Sequence, residues 1–232
     1  MKHIVSQQRA FFYTHQTKSI DYRLKQLNKL EKLLKSNENL LNEAIYKDFK
    51  KSTFDTYATE LALIYHDIKY AKRNIYKWSK LRRVGTNLLN FPAKSYILPE
   101  PLGVCLVIGA WNYPYQLTLS PVVAAIAAGN TVVIKPSELA VNTSAVMTKL
   151  INENFDPKYL KVVEGGVSET TVLLENKFDK IFFTLVLTPK ADSFADNFTL
   201  ASFCLNKLNP ATYFSAFMVL AFGNFIIYLS LI

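Results

Sequence analysis

Four short, mostly apolar runs, separated by helical stretches, constrain the fold of this chain more than any other feature of its sequence. The runs lie at residues 103–109, 131–136, 160–166 and 180–184. The stretches between them, residues 116–129, 141–152 and 168–175, have the length and pattern of helices. Strands that are apolar on both faces and alternate with helices are typical of a parallel sheet covered on each side. The sequence therefore predicts an α/β fold for this region.

The preceding residues follow a different period. Apolar residues recur at helical spacing, with lysines between them, and predict amphipathic helices over residues 19–35, 40–49 and about 54–81. In the third helix we expect Ile64, Ile75 and Trp78 on the buried side. Residues 84–98 change to short runs punctuated by Gly and Pro, which predict a hairpin or a pair of extended segments.

The excess of positive charge belongs to the N-terminal hundred residues. The formal net charge is +9, but residues 1–100 carry 19 Lys+Arg against 9 Asp+Glu, whereas the rest carries 8 against 9. The lysines alternate with leucines and form no dense block, so they are typical of solvated helix faces. We therefore expect no nucleic-acid partner.

The few cysteines and histidines argue against a disulfide framework or a metal site. Cys105 and Cys204 stand alone, and the three histidines are scattered along the chain. The N-terminus lacks the continuous apolar core of a secretory signal. These features favour a reduced, cytoplasmic setting.

Polar side chains follow two of the predicted strands, where ligands bind in an open parallel sheet. Asn112 comes after the first strand, and its amide NH₂ could donate to an oxyanion or simply cap the next helix. Lys135 ends the second strand and could bind a ribose hydroxyl or a phosphate, with Glu138 accepting from the ribose. The alternative is an exposed lysine, with Glu138 opening the following helix. The local pattern leaves both choices open.

Three segments, taken together, resemble one known family. They are "PLGVCLVIGAWNYP" (101–114), "AAIAAGNTVVIKPSE" (124–138) and "VVEGGVSETT" (162–171). In order and spacing they are similar to the N-terminal half of the aldehyde dehydrogenase superfamily, on its class 3, fatty-aldehyde branch. The resemblance covers about residues 5–184. It implies N-terminal helices followed by a partial parallel Rossmann-like sheet of the aldehyde dehydrogenase fold.

The resemblance also implies roles for individual residues. Asn112 matches the family's oxyanion-hole asparagine, and Lys135 and Glu138 match the pair that contacts the adenosine ribose of NAD or NADP. Gly165 and Gly166 match a tight turn near the adenine, where glycine permits close approach. The implied reaction oxidises an aldehyde to a carboxylate, and the fatty-aldehyde branch implies a long-chain substrate. The family's members are homo-oligomers.

The resemblance ends at Thr184. Leu185 and Val186 stand where the family has a Gly-Ser-Thr turn into the helix that faces the cofactor pyrophosphate. The Glu-Leu-Gly-Gly segment that supplies the general base and the Gly-Gln-x-Cys segment that supplies the nucleophile are missing from the sequence. Cys204 has mostly apolar neighbours, so we expect an inert thiol. We interpret the chain as a frameshifted or truncated product that is inactive and binds NAD or NADP weakly or not at all.

These observations divide the chain into four parts. They are the helices of 1–82, the extended segment 83–100, a partial dinucleotide-binding domain over 101–184, and an apolar tail over 185–232. Residues 211–232 carry no charge and would span roughly 33 Å as a helix, enough to cross a bilayer. We interpret this hydrophobicity as accidental. The alternative function is a non-catalytic, membrane-anchored binding or interaction protein. We expect the fourth strand to leave an open sheet edge, and the tail to be an isolated helix or poorly ordered.

Overall fold

Two sheets organise the computed structural model, which describes residues 1–186, 216–222 and 225–231. The smaller sheet is an antiparallel hairpin of β1 (Arg82–Val84) and β2 (Ser95–Ile97). The larger sheet contains β3 (Val104–Ile108), β4 (Thr131–Lys135), β5 (Leu160–Val162), β6 (Lys180–Val186), β7 (Ala216–Phe222) and β8 (Phe225–Leu231). Its strand order is β5-β4-β3-β6-β7-β8, and only the β7–β8 pair is antiparallel.

Helices surround the larger sheet. They are α1 (Lys2–Phe12), α2 (Ile20–Ser36), α3 (Glu38–Phe49), α4 (Thr53–Thr56), α5 (Ala62–Trp78), α6 (Gln116–Ala128), α7 (Val141–Asn154) and α8 (Val167–Leu174). A π-helical segment, Tyr57–Leu61, joins α4 to α5. The predicted α/β fold with a parallel sheet is thus confirmed, and so is the predicted hairpin.

Alternate side chains of β3 belong to two separate cores. Cys105 and Val107 join the core formed with α2, α3, α5, α6 and α7. Val104, Leu106 and Ile108 join the core on the opposite face, together with residues of α1 and α8. Every residue of β3 and β4 is buried. This burial on both faces explains why these strands are continuous apolar runs in the sequence.

The first helix, α1, has no counterpart in the sequence-based prediction. Two of its polar residues bind to the sheet and the adjoining loops through hydrogen bonds and an ion pair. The Gln8 amide, which is fully buried, donates to the carbonyl oxygens of Val132 (2.9 Å) and Pro157 (3.2 Å). The Arg9 guanidinium pairs with Asp179 at 2.8 Å. Because these contacts are with distant residues, the local pattern gave no sign of them.

The third predicted helix differs from the observed one in two ways. The single helix expected over about 54–81 is divided by the π-helical segment and ends at Trp78. Ile64 and Ile75 are fully buried as expected, but Trp78 is 43% exposed. Trp78 is the last residue of α5 and lies at the rim of a surface cavity, beyond the packed part of the helix.

Two expectations about the tail, an isolated apolar helix and an open edge at the fourth strand, were wrong over the described residues. Residues 216–222 and 225–231 are strands, not parts of an apolar helix, and β7 pairs with the edge that β6 was expected to leave open. β6 also continues through Leu185 and Val186, two residues beyond its expected end. The unpaired backbone groups of an edge strand bind a further strand readily, and Phe-, Ile- and Val-rich sequence favours the extended conformation. Across the described ranges, no helix has the length and hydrophobicity needed to cross a membrane.

Candidate functional site

The candidate site lies at the carboxyl ends of β3, β4 and β6. From β3 the chain proceeds through β4 to β5 on one side, while β6 lies on the other side of β3. This reversal of strand order is the position at which open α/β sheets bind their ligands. A cavity of about 90 Å³ opens there, and its lining comes from the strand ends, the loop after each strand and the first residues of α8: Ile108, Gly109, Ala110, Trp111, Lys135, Ser137, Glu138, Leu139, Val167, Thr170, Phe183 and Thr184.

Lys135 and Glu138 form a pair in the wall of this cavity. The Lys135 side chain is 2% exposed, and its Nζ donates to Glu138 Oε2 and to the Pro136 carbonyl oxygen, both at 2.8 Å. An ammonium group carries three N–H donors, so one remains without a partner among the described residues. The Glu138 carboxylate is 46% exposed, and only one of its oxygens accepts a hydrogen bond from the described residues. The pair can therefore offer both a donor and an acceptor to adjacent hydroxyl groups.

The turn at Gly165 and Gly166 leads into α8 beside the cavity. Gly165 has φ +141°, and a Cβ at this position would lie 2.3 Å from Glu169 Cγ, so only glycine fits. Glu169 closes the turn by accepting from the Gly166 backbone N–H at 2.7 Å. The Ser168 hydroxyl, together with backbone N–H groups, holds the pKa of Glu169 below its usual range. Neither glycine lines the cavity itself, although Val167 and Thr170 do.

Asn112 lies in the loop between β3 and α6. Its neighbour Trp111 lines the cavity, but Asn112 does not, so the structure does not bring Asn112 into the same pocket as the Lys135–Glu138 pair. Asn112 Oδ1 is buried without a hydrogen-bond partner. Its Nδ2 makes no hydrogen bond to the described residues, which leaves the NH₂ group uncommitted. Asn112 does not cap α6 with its side chain, because no side-chain cap is present at the start of that helix.

The cavity wall also contains residues that the sequence-based analysis did not single out. Thr184 is 4% exposed, and its Oγ1 has no hydrogen-bond partner among the described residues. Leu139 and Val167 are 65% and 63% exposed and flank the opening. An isolated threonine and two apolar residues carry no local signal of a site. Only the convergence of three strand ends brings them together.

These features fit part of a dinucleotide. The free N–H of Lys135 and the exposed Glu138 carboxylate suit ribose hydroxyls, and the exposed faces of Leu139 and Val167 suit a flat base. The cavity of about 90 Å³ is, however, much smaller than the roughly 300–1,000 Å³ of most small-molecule sites. It can receive one portion of such a ligand and not the whole molecule.

A larger cavity lies elsewhere and contains none of the predicted site residues. Its volume is about 440 Å³, and it lies between α5, α6 and the segment around Glu100. Ala127 and Ala128, at the C-terminal end of α6, line it, so it is at the opposite end of that helix from the Asn112 loop. We assign the functional site to the smaller cavity because the strand ends and the polar pair converge there. Among the described residues, no cluster of His, Cys, Asp and Glu could hold a metal ion.

Comparison with known proteins identifies the relatives of this chain. The aldehyde dehydrogenase family model matches residues 1–184. The chain is 48% identical over 176 residues to the 4,4'-diaponeurosporen-aldehyde dehydrogenase of Staphylococcus aureus, covering 76% of this chain and 38% of that protein. It is 40% identical over 181 residues to aldehyde dehydrogenase family 3 member I1 of Arabidopsis thaliana, covering 78% of this chain and 33% of that protein.

A solved structure shows the same relationship. The substrate-bound state of Staphylococcus aureus AldH superposes with a TM-score of 0.80 at 41% identity, covering 95% of this chain and 45% of that one. The chain thus spans between a third and two fifths of the length of the two curated relatives it matches. On the strength of the match over residues 1–184, the chain belongs to the aldehyde dehydrogenase family, beside its class 3 members.

Proposed function

We propose that residues 101–184 form part of the NAD(P)-binding region of an aldehyde dehydrogenase. Lys135 and Glu138 hold the adenosine ribose, and the turn at Gly165 and Gly166 lies near the adenine. The observation that carries this proposal is the buried Lys135 ammonium. Lys135 lines a cavity at the strand reversal next to an exposed carboxylate, and one of its N–H groups has no partner among the described residues. A lysine with a merely solvated role would not be 2% exposed.

The reaction of the lineage is the oxidation of an aldehyde to a carboxylate, with the nicotinamide as hydride acceptor. We propose that this chain contributes Asn112 to the reaction. Its uncommitted side-chain NH₂ is a donor for the negative charge that develops on the carbonyl oxygen when a thiolate adds to the aldehyde. We propose a long, apolar aldehyde as the substrate class, in keeping with the diaponeurosporen-aldehyde named for the Staphylococcus aureus relative.

The nucleophile of this reaction is missing from the described residues. Burial raises the pKa of Cys105 to about 12, and its side chain lies in the centre of β3 at 5% exposure. A reactive cysteine needs the opposite environment. Cys204 lies outside the described residues, and the Gly-Gln-x-Cys and Glu-Leu-Gly-Gly segments are absent from the 232 residues. We therefore propose that this chain does not turn over aldehydes.

Dinucleotide binding by the chain tests the proposed site. The helix N-terminus that would receive the pyrophosphate in the family has no counterpart in the described residues, because Leu185 and Val186 continue β6. We expect NAD and NADP to bind with Kd of about 1 mM or weaker, which corresponds to roughly 4 kcal/mol. Calorimetry should detect no micromolar binding, while nuclear magnetic resonance should show shifted amide signals around the cavity at millimolar ligand.

The test variant is Lys135→Ala, and its matched control is Lys158→Ala. Lys158 is exposed and remote from the cavity, so its loss should leave the shifts unchanged. Loss of the Lys135 contact should weaken binding about tenfold or more, because a charge-assisted hydrogen bond contributes roughly 1.5–3 kcal/mol. Tight, micromolar binding that depended on Lys135 would contradict the expected weakness. Shifts that were the same in Lys135→Ala would contradict the assigned site.

A further inference from the structure

A buried ion pair lies directly behind the loop that carries Asn112. Lys51 Nζ is 2.6 Å from Glu60 Oε1, and the Glu60 side chain is fully buried, whereas that of Lys51 is 19% exposed. Lys51 follows α3, and Glu60 lies in the π-helical segment between α4 and α5. The two residues therefore reach the loop from the helical layer and not from the sheet.

Glu60 uses its second oxygen to hold the start of α6. Glu60 Oε2 accepts from the backbone N–H groups of Tyr115 at 2.8 Å and of Gln116 at 3.3 Å. The first N–H groups of a helix have no partners within the helix, and a carboxylate there is favourable for the helix dipole. Glu60 is thus a cap supplied by a distant residue, which accounts for the lack of a local side-chain cap on α6.

Lys51 holds the other end of the same loop. Its Nζ donates to the backbone carbonyl oxygen of Asn112 at 3.2 Å and lies 4.2 Å from the centroid of the Tyr113 ring. The pair therefore fixes the backbone at Asn112 and again at Tyr115 and Gln116. Between these two points only Tyr113 and Pro114 intervene.

The position of Glu60 in a π-helical turn is an independent indication that this residue has a functional role. Single π turns are rare within α-helices and are frequent at functional sites. Burial raises the pKa of Glu60, and the Lys51 ammonium and the backbone N–H donors oppose that rise. A buried ion pair contributes little net stability compared with apolar residues, because desolvation offsets the attraction between the charges. Its most specific effect here is therefore on the geometry of the loop.

We infer that Lys51 and Glu60 are positioning residues, which clamp the loop on both sides of Tyr113 so that the Asn112 amide keeps its NH₂ group free. This inference rests on the role proposed above for Asn112. Asn112 Oδ1 is buried and has no hydrogen-bond partner among the described residues, so the position of the side chain depends on the backbone that Lys51 holds. Neither Lys51 nor Glu60 touches the cavity that holds the Lys135–Glu138 pair.

The side-chain NH₂ resonance of Asn112 gives a direct test in the full chain, in ¹⁵N-labelled protein, with Asn112→Asp identifying the signal. Glu60→Gln keeps the shape but removes the charge, and Lys51→Met removes the ammonium. Both should shift or broaden the Asn112 signal, whereas Lys51→Arg, which keeps a donor and a charge, should largely restore it. The control is Lys35→Met, which breaks the exposed Lys35–Glu31 pair and should leave the signal unchanged.

Circular dichroism should show that the variants remain folded. Where Lys51→Met does not fold, Tyr113→Leu replaces it, because this change removes only the ring beneath the ammonium and should give a smaller shift of the same signal. An Asn112 signal that is unchanged in folded Glu60→Gln and in folded Lys51→Met or Tyr113→Leu would overturn the inference. The Asn112 resonance is measured without a dinucleotide. Failure of NAD binding would therefore count against the proposed function but not against the positioning role of Lys51 and Glu60.

Discussion

Two side chains with a raised pKa, Cys105 and Tyr22, lead us to expect a loss of stability at alkaline pH. Burial raises the pKa of Cys105 to about 12, and burial together with Asp156 raises that of Tyr22 to about 12. In each case the unfolded chain loses the proton first, at a pH near the group's ordinary pKa. Deprotonation then stabilises the unfolded chain relative to the native state. The contribution of these groups to the free energy of unfolding is therefore complete below about pH 8 and declines up to about pH 12.

The first prediction concerns this loss of stability at alkaline pH. The free energy of unfolding, measured by urea denaturation, should fall between about pH 8 and about pH 11, and the fall should be smaller in Cys105→Ala and in Tyr22→Phe. The expected difference is at least about 1 kcal/mol for Cys105→Ala, since each unit of pKa difference corresponds to about 1.4 kcal/mol. It is smaller for Tyr22→Phe, because Tyr22 is only partly buried and solvent screens its interactions. Tyr13→Phe is the control, because Tyr13 is 63% exposed. An equal decline in all four proteins would mean that other groups cause the alkaline unfolding.

Among the elements, α1 depends most on contacts that its own sequence does not reveal. Arg9 reaches Asp179 with Nη1 and the Lys177 carbonyl oxygen with Nη2, at 2.8 and 2.6 Å. Asp179 also accepts from the Val104 backbone N–H at 2.8 Å. The same carboxylate thus ties α1 to the loop before β6 and to the first residue of β3.

We predict that Arg9→Ala destabilises the protein by about 1–3 kcal/mol, because it removes charge-assisted hydrogen bonds to a partly buried carboxylate. Lys2→Ala, at an exposed position of the same helix, should change the free energy of unfolding by no more than about 0.5 kcal/mol. Chemical denaturation measures both. Similar values for the two variants would show that α1 is held by its apolar face and not by the ion pair.

For the molecule as a whole, the reactive side chains among the described residues lead us to predict that the chain does not oxidise aldehydes. We propose an oxyanion donor at Asn112 and a ribose contact at Lys135, but the one described cysteine is buried in the sheet. Electrostatic groups alone cannot form the covalent intermediate of the family's reaction. The purified chain should therefore not reduce NAD or NADP in the presence of a long-chain aldehyde.

An absorbance assay with both dinucleotides, against heat-inactivated protein, measures this. Turnover that disappeared in Cys204→Ser would show that Cys204 serves as a nucleophile. The DNA that follows the Thr184 codon provides a second check. A Gly-Ser-Thr turn followed by Glu-Leu-Gly-Gly and Gly-Gln-x-Cys in another reading frame would support the interpretation of a shifted frame. Their absence from all three frames would count against it.

The sequence by itself determined the alternation of β3, α6, β4, α7, β5, α8 and β6. Continuous apolar runs such as Val104–Ile108 and Thr131–Lys135 can satisfy both their backbone groups and their side chains only inside a sheet covered on both faces. The polar residues that follow these runs, Asn112 and Lys135, were also predicted at strand ends. Their position at one edge of the sheet was predictable, because parallel strands place all their carboxyl ends there.

Only the tertiary structure decided which distant groups complete these elements. Glu60 caps α6 from 55 residues earlier in the chain, and Arg9 meets Asp179 across 170 residues. The pairing of β7 with β6 likewise depends on an edge whose availability no local pattern shows. Local sequence fixes periodicity and turn geometry, because these depend on neighbours within a few residues. The choice of partner for a buried charge or an open strand edge depends on which surfaces the folded chain brings together.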